Sequence, residues 1–190
     1  MTDSLTSDEK QTLLRLAREA LEYAVHEKLL PPLKQSVLTP ALRSDGASFV
    51  TLTVRGNLRG CIGALEPYQS LVDDVREHAV AAALNDYRFS PVTASELDEI
   101  EIEVSRLTIP EPLDYSDADD LVAKLRPGVD GVILKDGHYH RATFLPQVWE
   151  KIPDKAEFLD NLCYKMSSPP DTWRKKKLDV LIYQVEEFHE

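Results

Sequence analysis

Apolar positions along the chain alternate between two periods, and the switches mark the elements. Leu13, Leu14, Leu16, Ala17, Leu21, Ala24 and Val25 recur at helical spacing. Thr6 or Ser7 can cap this helix near Asp8, with acidic residues at its positive end. Pro31-Pro32 is expected to stop it after about Leu30. A proline-containing loop then leads to Arg43, and Asp45-Gly46 reads as a turn. Phe49 to Val54 and Leu58 to Leu65 are rich in β-formers, and only Arg55-Gly56-Asn57 separates them, so a tight hairpin is expected. Side chains alternate across a strand. Arg59 and Cys61 would therefore share one face, and Leu58, Ile62 and Ala64 the opposite, apolar one, unless Gly60 or Gly63 introduces a bulge.

A second helix is expected over about Leu71 to Leu84, with small residues Ala79, Ala81, Ala82 and Ala83 for close packing. Asn85 to Pro91 is a loop and Ser95 to Glu99 a short turn. Ile100, Ile102 and Val104 alternate with Glu101, Glu103 and Ser105, which predicts a half-buried strand. A short helix follows over Asp117 to Lys124. Val132 to Lys135 and His138 to Phe144 flank Asp136-Gly137, a second hairpin. Pro146 to Lys151 reads as a helical turn, and Asp154 or Lys155 to Met166 as a helix. Asp171 can cap a short turn through Trp173 to Lys176, and Leu178 to Phe188 reads as one final strand. Helices mixed with hairpins give an α+β class with an antiparallel sheet.

Composition narrows the setting. The 190 residues fit one domain, or one with a small lobe within about 110–150. A net charge of -11 repels phosphate backbones, so non-specific nucleic-acid binding is disfavoured. The basic run Arg174 to Lys177 is short and reads as a solvated face. No apolar stretch approaches the roughly 18 residues of a membrane span. The polar start, Met1 to Lys10, lacks a signal-peptide core. Two distant cysteines fit reduced thiols, so a cytoplasmic location is expected.

Candidate chemistry concentrates in Leu58-Arg59-Gly60-Cys61-Ile62-Gly63. A thiolate is the reactive form of cysteine, and a nearby cation such as Arg59 favours it. Flanking glycines permit close approach of a ligand, or equally of another backbone, so a packing role suits the same residues. In Asp86-Tyr87-Arg88-Phe89, Arg88 can clamp a carboxylate or phosphate, or pair with Asp86 to fix the turn. His78 can serve Cys61 as a base, or simply pack. His138 and His140 share a strand face but lack further ligands, so no metal site is assigned. Glu101 and Glu103 are either an acid–base pair or a solvated sheet face, and Cys163 reads as core. No phosphate-binding glycine loop, nucleophile elbow, H-E-x-x-H or C-x-x-C is present. These residues specify no cofactor.

Several of these runs together carry a family resemblance. The hexapeptide over residues 58–63, Asp86-Tyr87-Arg88-Phe89-Ser90-Pro91 and Glu101-Ile102-Glu103-Val104-Ser105 occur in that order. Thr143-Phe144-Leu145-Pro146-Gln147-Val148-Trp149, Phe158 to Cys163 and Asp171-Thr172-Trp173 follow. The chain resembles the AMMECR1 family over roughly residues 10 to 190. Lys165-Met166-Ser167-Ser168 departs from the Lys-Ala-Gly-Leu type of run that relatives often have. The resemblance implies an α+β fold of two unequal lobes, with the hexapeptide near a cleft. It also implies a bacterial setting and association with a Memo-like and a radical-SAM protein in the AmmeMemoRadiSam system. Two functions follow as expectations. The first is an accessory or binding component acting through Leu58 to Gly63, with Arg59 and Arg88 recognising an anionic small molecule or a partner segment. The second is an enzyme using Cys61 as nucleophile or redox thiol.

Overall fold

The computed structural model describes residues 4–34, 38–137 and 139–190. Helix α1 (Ser7–Val25) begins at a capping box, in which Thr6 and Glu9 satisfy each other's backbone N–H groups. It ends five residues before the expected stop. Glu27 adopts φ 54°, and the Glu27 and Lys28 amides donate to the Ala24 and Tyr23 carbonyls. This is a Schellman closure made without glycine, so neither Gly nor Pro marks the helix end. The following loop contains a one-turn helix, α2 (Pro40–Arg43), capped by Thr39.

Strands β1 (Asp45–Val54) and β2 (Asn57–Gly63) form the expected hairpin, turning at Arg55-Gly56, where both φ values are positive. Asp45-Gly46 is not a turn: it opens β1, where a Cβ on Gly46 would lie 2.8 Å from the Leu71 Cβ. The short β3 (Gln69–Ser70) leads into α3 (Leu71–Leu84), capped by Ser70. A 3-10 turn (Ala94–Glu99) precedes β4 (Ile100–Leu107). The first sheet has the order β2-β1-β4-β9, with β3 paired to the start of β1, and β9 is Val185–His189. Its inner face carries Val50, Leu52, Ile102, Val104 and Phe188 into one core with Leu13, Leu21, Val75 and Ala79 of α1 and α3. Burial of these side chains, at about 1.5–3 kcal/mol each, is the main support of this unit.

The second sheet has the order β5-β8-β6-β7, from β5 (Glu111–Pro112), β6 (Gly131–Asp136), β7 (His140–Phe144) and β8 (Asp179–Tyr183). It packs with α4 (Ala118–Lys124), α5 (Lys155–Lys165) and α6 (Thr172–Lys175). Trp149 stacks on Phe158 with centroids 3.6 Å apart, and the buried Trp149 Nε1 donates to the Asp130 carbonyl at 2.7 Å. Tyr115 Oη accepts from the Leu178 amide and donates to its carbonyl, both at 2.8 Å. Asp171 does not cap α6 through its side chain; its carboxylate pairs with Lys175 at 2.6 Å instead.

The chain divides into two units, the first holding the residues up to Ile109 with Glu186–Glu190 and the second Pro110–Val185. The single final strand expected over Leu178 to Phe188 is in fact two strands in different sheets, interrupted at Gln184. Both halves are β-rich, and neither composition nor period shows where one sheet is left for the other.

Candidate functional site

The register of the first hairpin decides which way Cys61 points. Starting from Val54 paired with Asn57 and Thr53 with Leu58, an unbroken ladder would set Cys61 opposite the inward Val50. The register shifts between Leu52 and Thr53, and Arg59 is the extra residue. Beyond this bulge Gly60 pairs with Leu52, and Cys61 with Thr51. One added residue flips every later side chain to the other face. Gly60 therefore faces α3, and Cys61 faces outward with Thr51. The bulge also corrects the expectation for Leu58. It pairs with the outward Thr53 and is exposed, whereas Ile62 packs on the core.

The glycines of the hexapeptide are contact points. A Cβ on Gly60 would overlap the Ala82 carbonyl oxygen of α3 and lie 3.0 Å from its carbon. A Cβ on Gly63 would overlap the Ser48 carbonyl oxygen and the Phe49 ring. Strand β2 thus lies directly on the helix through Gly60, beneath the alanine-rich surface of α3.

The loop after α3 completes the site. Among the described residues strand β2 is at the sheet edge, so the outward backbone groups of Cys61 have no neighbouring strand. Two side chains take that place. Asp86 Oδ2 accepts from the Cys61 amide at 2.9 Å, and Arg88 Nη2 donates to the Cys61 carbonyl at 3.2 Å. Asp86 and Arg88 are themselves joined by two bonds, Nε to Oδ1 at 2.9 Å and Nη2 to Oδ2 at 2.6 Å. The Arg88 amide adds a third, at 3.1 Å. The Arg88 fork and the Cys61 and Arg88 amides hold the buried Asp86 carboxyl well below the usual carboxylate range, against the opposing effect of burial.

Arg59 is held by a carboxylate of the following 3-10 turn. Its Nε and Nη2 donate to Glu96 Oε1 and Oε2 at 2.7 and 3.2 Å, and its Nη1 donates to the Ser90 carbonyl at 2.9 Å. Phe89 lies between the two cations, 6.0 Å from the Arg59 Cζ and 5.5 Å from the Arg88 Cζ. Both guanidinium forks are therefore engaged by internal carboxylates. Cys61 Sγ is half-buried and accepts from the Thr51 hydroxyl at 3.3 Å.

The Arg59 fork, with help from Thr93, lowers the Glu96 pKa to about 2. A depressed carboxylate contributes stability that is full above its ordinary pKa near 4.5 and is lost as pH falls toward 2. Glu96→Gln is expected to remove part of the acid sensitivity of the first unit in that window. Thermal melts of wild type and variant should converge between pH 4.5 and 2; parallel curves would show that the pair contributes nothing there.

The remaining candidates separate. His78 is buried, with Nδ1 3.1 Å from Asp74 Oδ2, which also accepts from the Ser48 hydroxyl at 2.6 Å. This group packs on the inner face of the sheet and is not brought to Cys61. His138 lies outside the described residues, and His140 Nδ1 is 3.4 Å from the Met166 carbonyl. Among the described residues, no three His, Cys, Asp or Glu side chains converge as metal ligands. Cys163 is fully buried in the second core, and burial pushes its thiol up. Thr51 and Glu96 carry only weak sequence signals. Thr51 was visible only as an outward hairpin residue, and Glu96 only as the end of a Thr93-x-x-Glu96 capping box.

A family model, AMMECR1, matches residues 14–188. The chain belongs to the AMMECR1 family. It is 41% identical to a protein of Methanothermobacter thermautotrophicus, over 98% of this chain and 96% of that one. It is 38% identical to a protein of Thermofilum pendens, over 98% and 92%. The crystal structure of the uncharacterized protein PH0010 from Pyrococcus horikoshii superposes with a TM-score of 0.81 at 34% identity, covering 98% of this chain and 93% of that one. This AMMECR1-family chain has, among the described residues, no helix long and apolar enough to cross a membrane.

Proposed function

We propose that this AMMECR1-family chain is a cytoplasmic accessory component whose working surface is the outward sheet face around Cys61. It would act there with a Memo-like and a radical-SAM protein. The observation that supports this reading is the way Cys61 is held. Gly60 seats β2 on α3, and Asp86 and Arg88 bond both backbone groups of Cys61, while its side chain stays partly accessible. Exposed Leu58 and Tyr87 lie on β2 and on the clamping loop and offer contact area. Because Arg59 and Arg88 are committed to Glu96 and Asp86, a free anionic small molecule is the weaker choice of ligand. A second reading, a thiol enzyme, is favoured by the Thr51 hydroxyl directed at Cys61 Sγ.

Iodoacetamide is expected to modify Cys61 and to spare Cys163, which is 0% exposed. The labelled protein is then expected to bind a purified Memo-like protein at least about tenfold more weakly, which is roughly 1.4 kcal/mol. Calorimetry reads this directly. Unchanged binding after complete Cys61 labelling would remove the outward face as the docking surface.

A further inference from the structure

The guanidinium groups beside Cys61 are taken up by internal carboxylates, but the first unit also holds a cavity of about 220 Å³ lined by three other basic residues. Helix α1 supplies Arg15 and Leu16 to its wall, with Glu19 one turn further on the same side. Helix α3 supplies Arg76, and the loop between α1 and α2 supplies Pro31 to Lys34 and Leu38.

The wall is built rather than incidental. Leu16 and Leu38 belong to the core of the unit, and Leu33 packs against it. The proline rings of Pro31 and Pro32 fix φ along the rim. Arg76 Nη2 donates to the Pro31 carbonyl at 2.7 Å and so ties the loop to α3. A cavity shaped in advance loses little freedom when a ligand enters.

Arg76 is the group that selects the ligand. It is half-buried, and a neutral carbonyl takes one of its five N–H donors without offsetting its charge. Among the described residues no carboxylate pairs with Arg76 or with Lys34. Acids are not scarce, since the chain has 33 acidic residues against 22 basic ones. Arg15 reaches Glu19 only at 3.7 Å. The wall therefore joins three cations to one carboxylate inside a chain of net charge -11.

We propose that this cavity binds a small organic monoanion, a carboxylate on a short apolar body. The remaining fork of Arg76 receives the carboxylate, with Lys34 adding charge. Leu16, Leu33 and Leu38 receive the body. Glu19 repels a second negative charge, which favours a monoanion over a dicarboxylate or a phosphate. The volume lies below the roughly 300–1,000 Å³ of sites for drug-sized molecules, so the acid is smaller than those.

The test is calorimetric titration of the full chain with hexanoate, benzoate, hexanol and inorganic phosphate. Hexanoate or benzoate is expected to saturate with a Kd of about 1 mM or below, the scale open to so small a ligand. Hexanol and phosphate should each bind at least about tenfold more weakly, because each lacks one half of the recognised group. Arg76→Gln is expected to weaken the acid about tenfold, the scale of hydrogen bonds to a charged group, and Arg76→Lys less. Thermal melts confirm that the variants fold. Lys34→Gln changes an exposed side chain and should weaken the acid about threefold, which keeps the test decisive should Arg76→Gln fail to fold. No saturable binding of either acid to wild type overturns the proposal. So does hexanol or phosphate binding as tightly as hexanoate, or an affinity for the acid unchanged in both Arg76→Lys and Lys34→Gln.

Discussion

Gly60→Ala is expected to cost the first unit about 3 kcal/mol or more, read as a fall in Tm of roughly 6–12 °C. The added methyl would overlap the Ala82 carbonyl oxygen. That oxygen belongs to the backbone of α3, so it cannot swing aside as a flexible side chain would. Relief requires β2 to lift from the helix or α3 to bend, and either motion opens the core around Val50, Leu52 and Ala79. Gly56→Ala is the matched control. Gly56 has φ 76° and nothing within 4 Å of a built Cβ, so its cost is conformational only, about 1 kcal/mol. Equal losses at the two positions would mean that β2 can lift freely and that Gly60 is no seat. The functional consequence should track the structural one, because lifting β2 also moves Cys61 away from Thr51.

Local signals in the chain reached most of the elements and the contents of the site. The α3 boundaries follow from Ser70 and the apolar run to Leu84, and both hairpins follow from Arg55-Gly56 and Asp136-Gly137. Cys61, Asp86 and Arg88 stand out in the sequence, and the fold brings them into hydrogen-bond contact. What period and composition did not reveal depends on distant or sub-local geometry. Alternation from Leu58 fails at one extra residue, Arg59; the adjacent Gly60 is compatible with a bulge, but nothing local requires one. The pairing of Arg59 with Glu96 spans 37 positions and is set by where the 3-10 turn sits beside β2. The split of the last strand at Gln184 reflects which sheet each half can complete. The meeting of Cys61 with Thr51 needs the hairpin register beyond the bulge.

Asp86→Ala is expected to destabilise the first unit by about 3 kcal/mol and to loosen Cys61 specifically. The substitution removes the acceptor of the Cys61 amide and of three Arg88 donors. Arg88 is exposed and can turn to solvent, so the guanidinium is not stranded. The Cys61 amide has no neighbouring strand to turn to among the described residues, because β2 is the edge of the sheet. Asp86→Asn separates shape from charge. Its amide oxygen can still accept from Cys61, so a smaller loss, about 1–2 kcal/mol, is expected. The pH dependence has a definite sign. The folded-state pKa of Asp86 is depressed, so its contribution is complete above the ordinary carboxylate range near 4 and is lost as pH falls through the folded value. The difference between wild type and Asp86→Asn should therefore shrink in acid. Amide hydrogen exchange gives the local readout. Faster exchange at Cys61 in Asp86→Ala, beyond that of Thr51 on the neighbouring strand, identifies the carboxylate as the clamp on this residue. Uniform acceleration across β1 and β2 would assign Asp86 to the stability of the unit as a whole, and the presentation of Cys61 would then rest on Gly60 and the bulge.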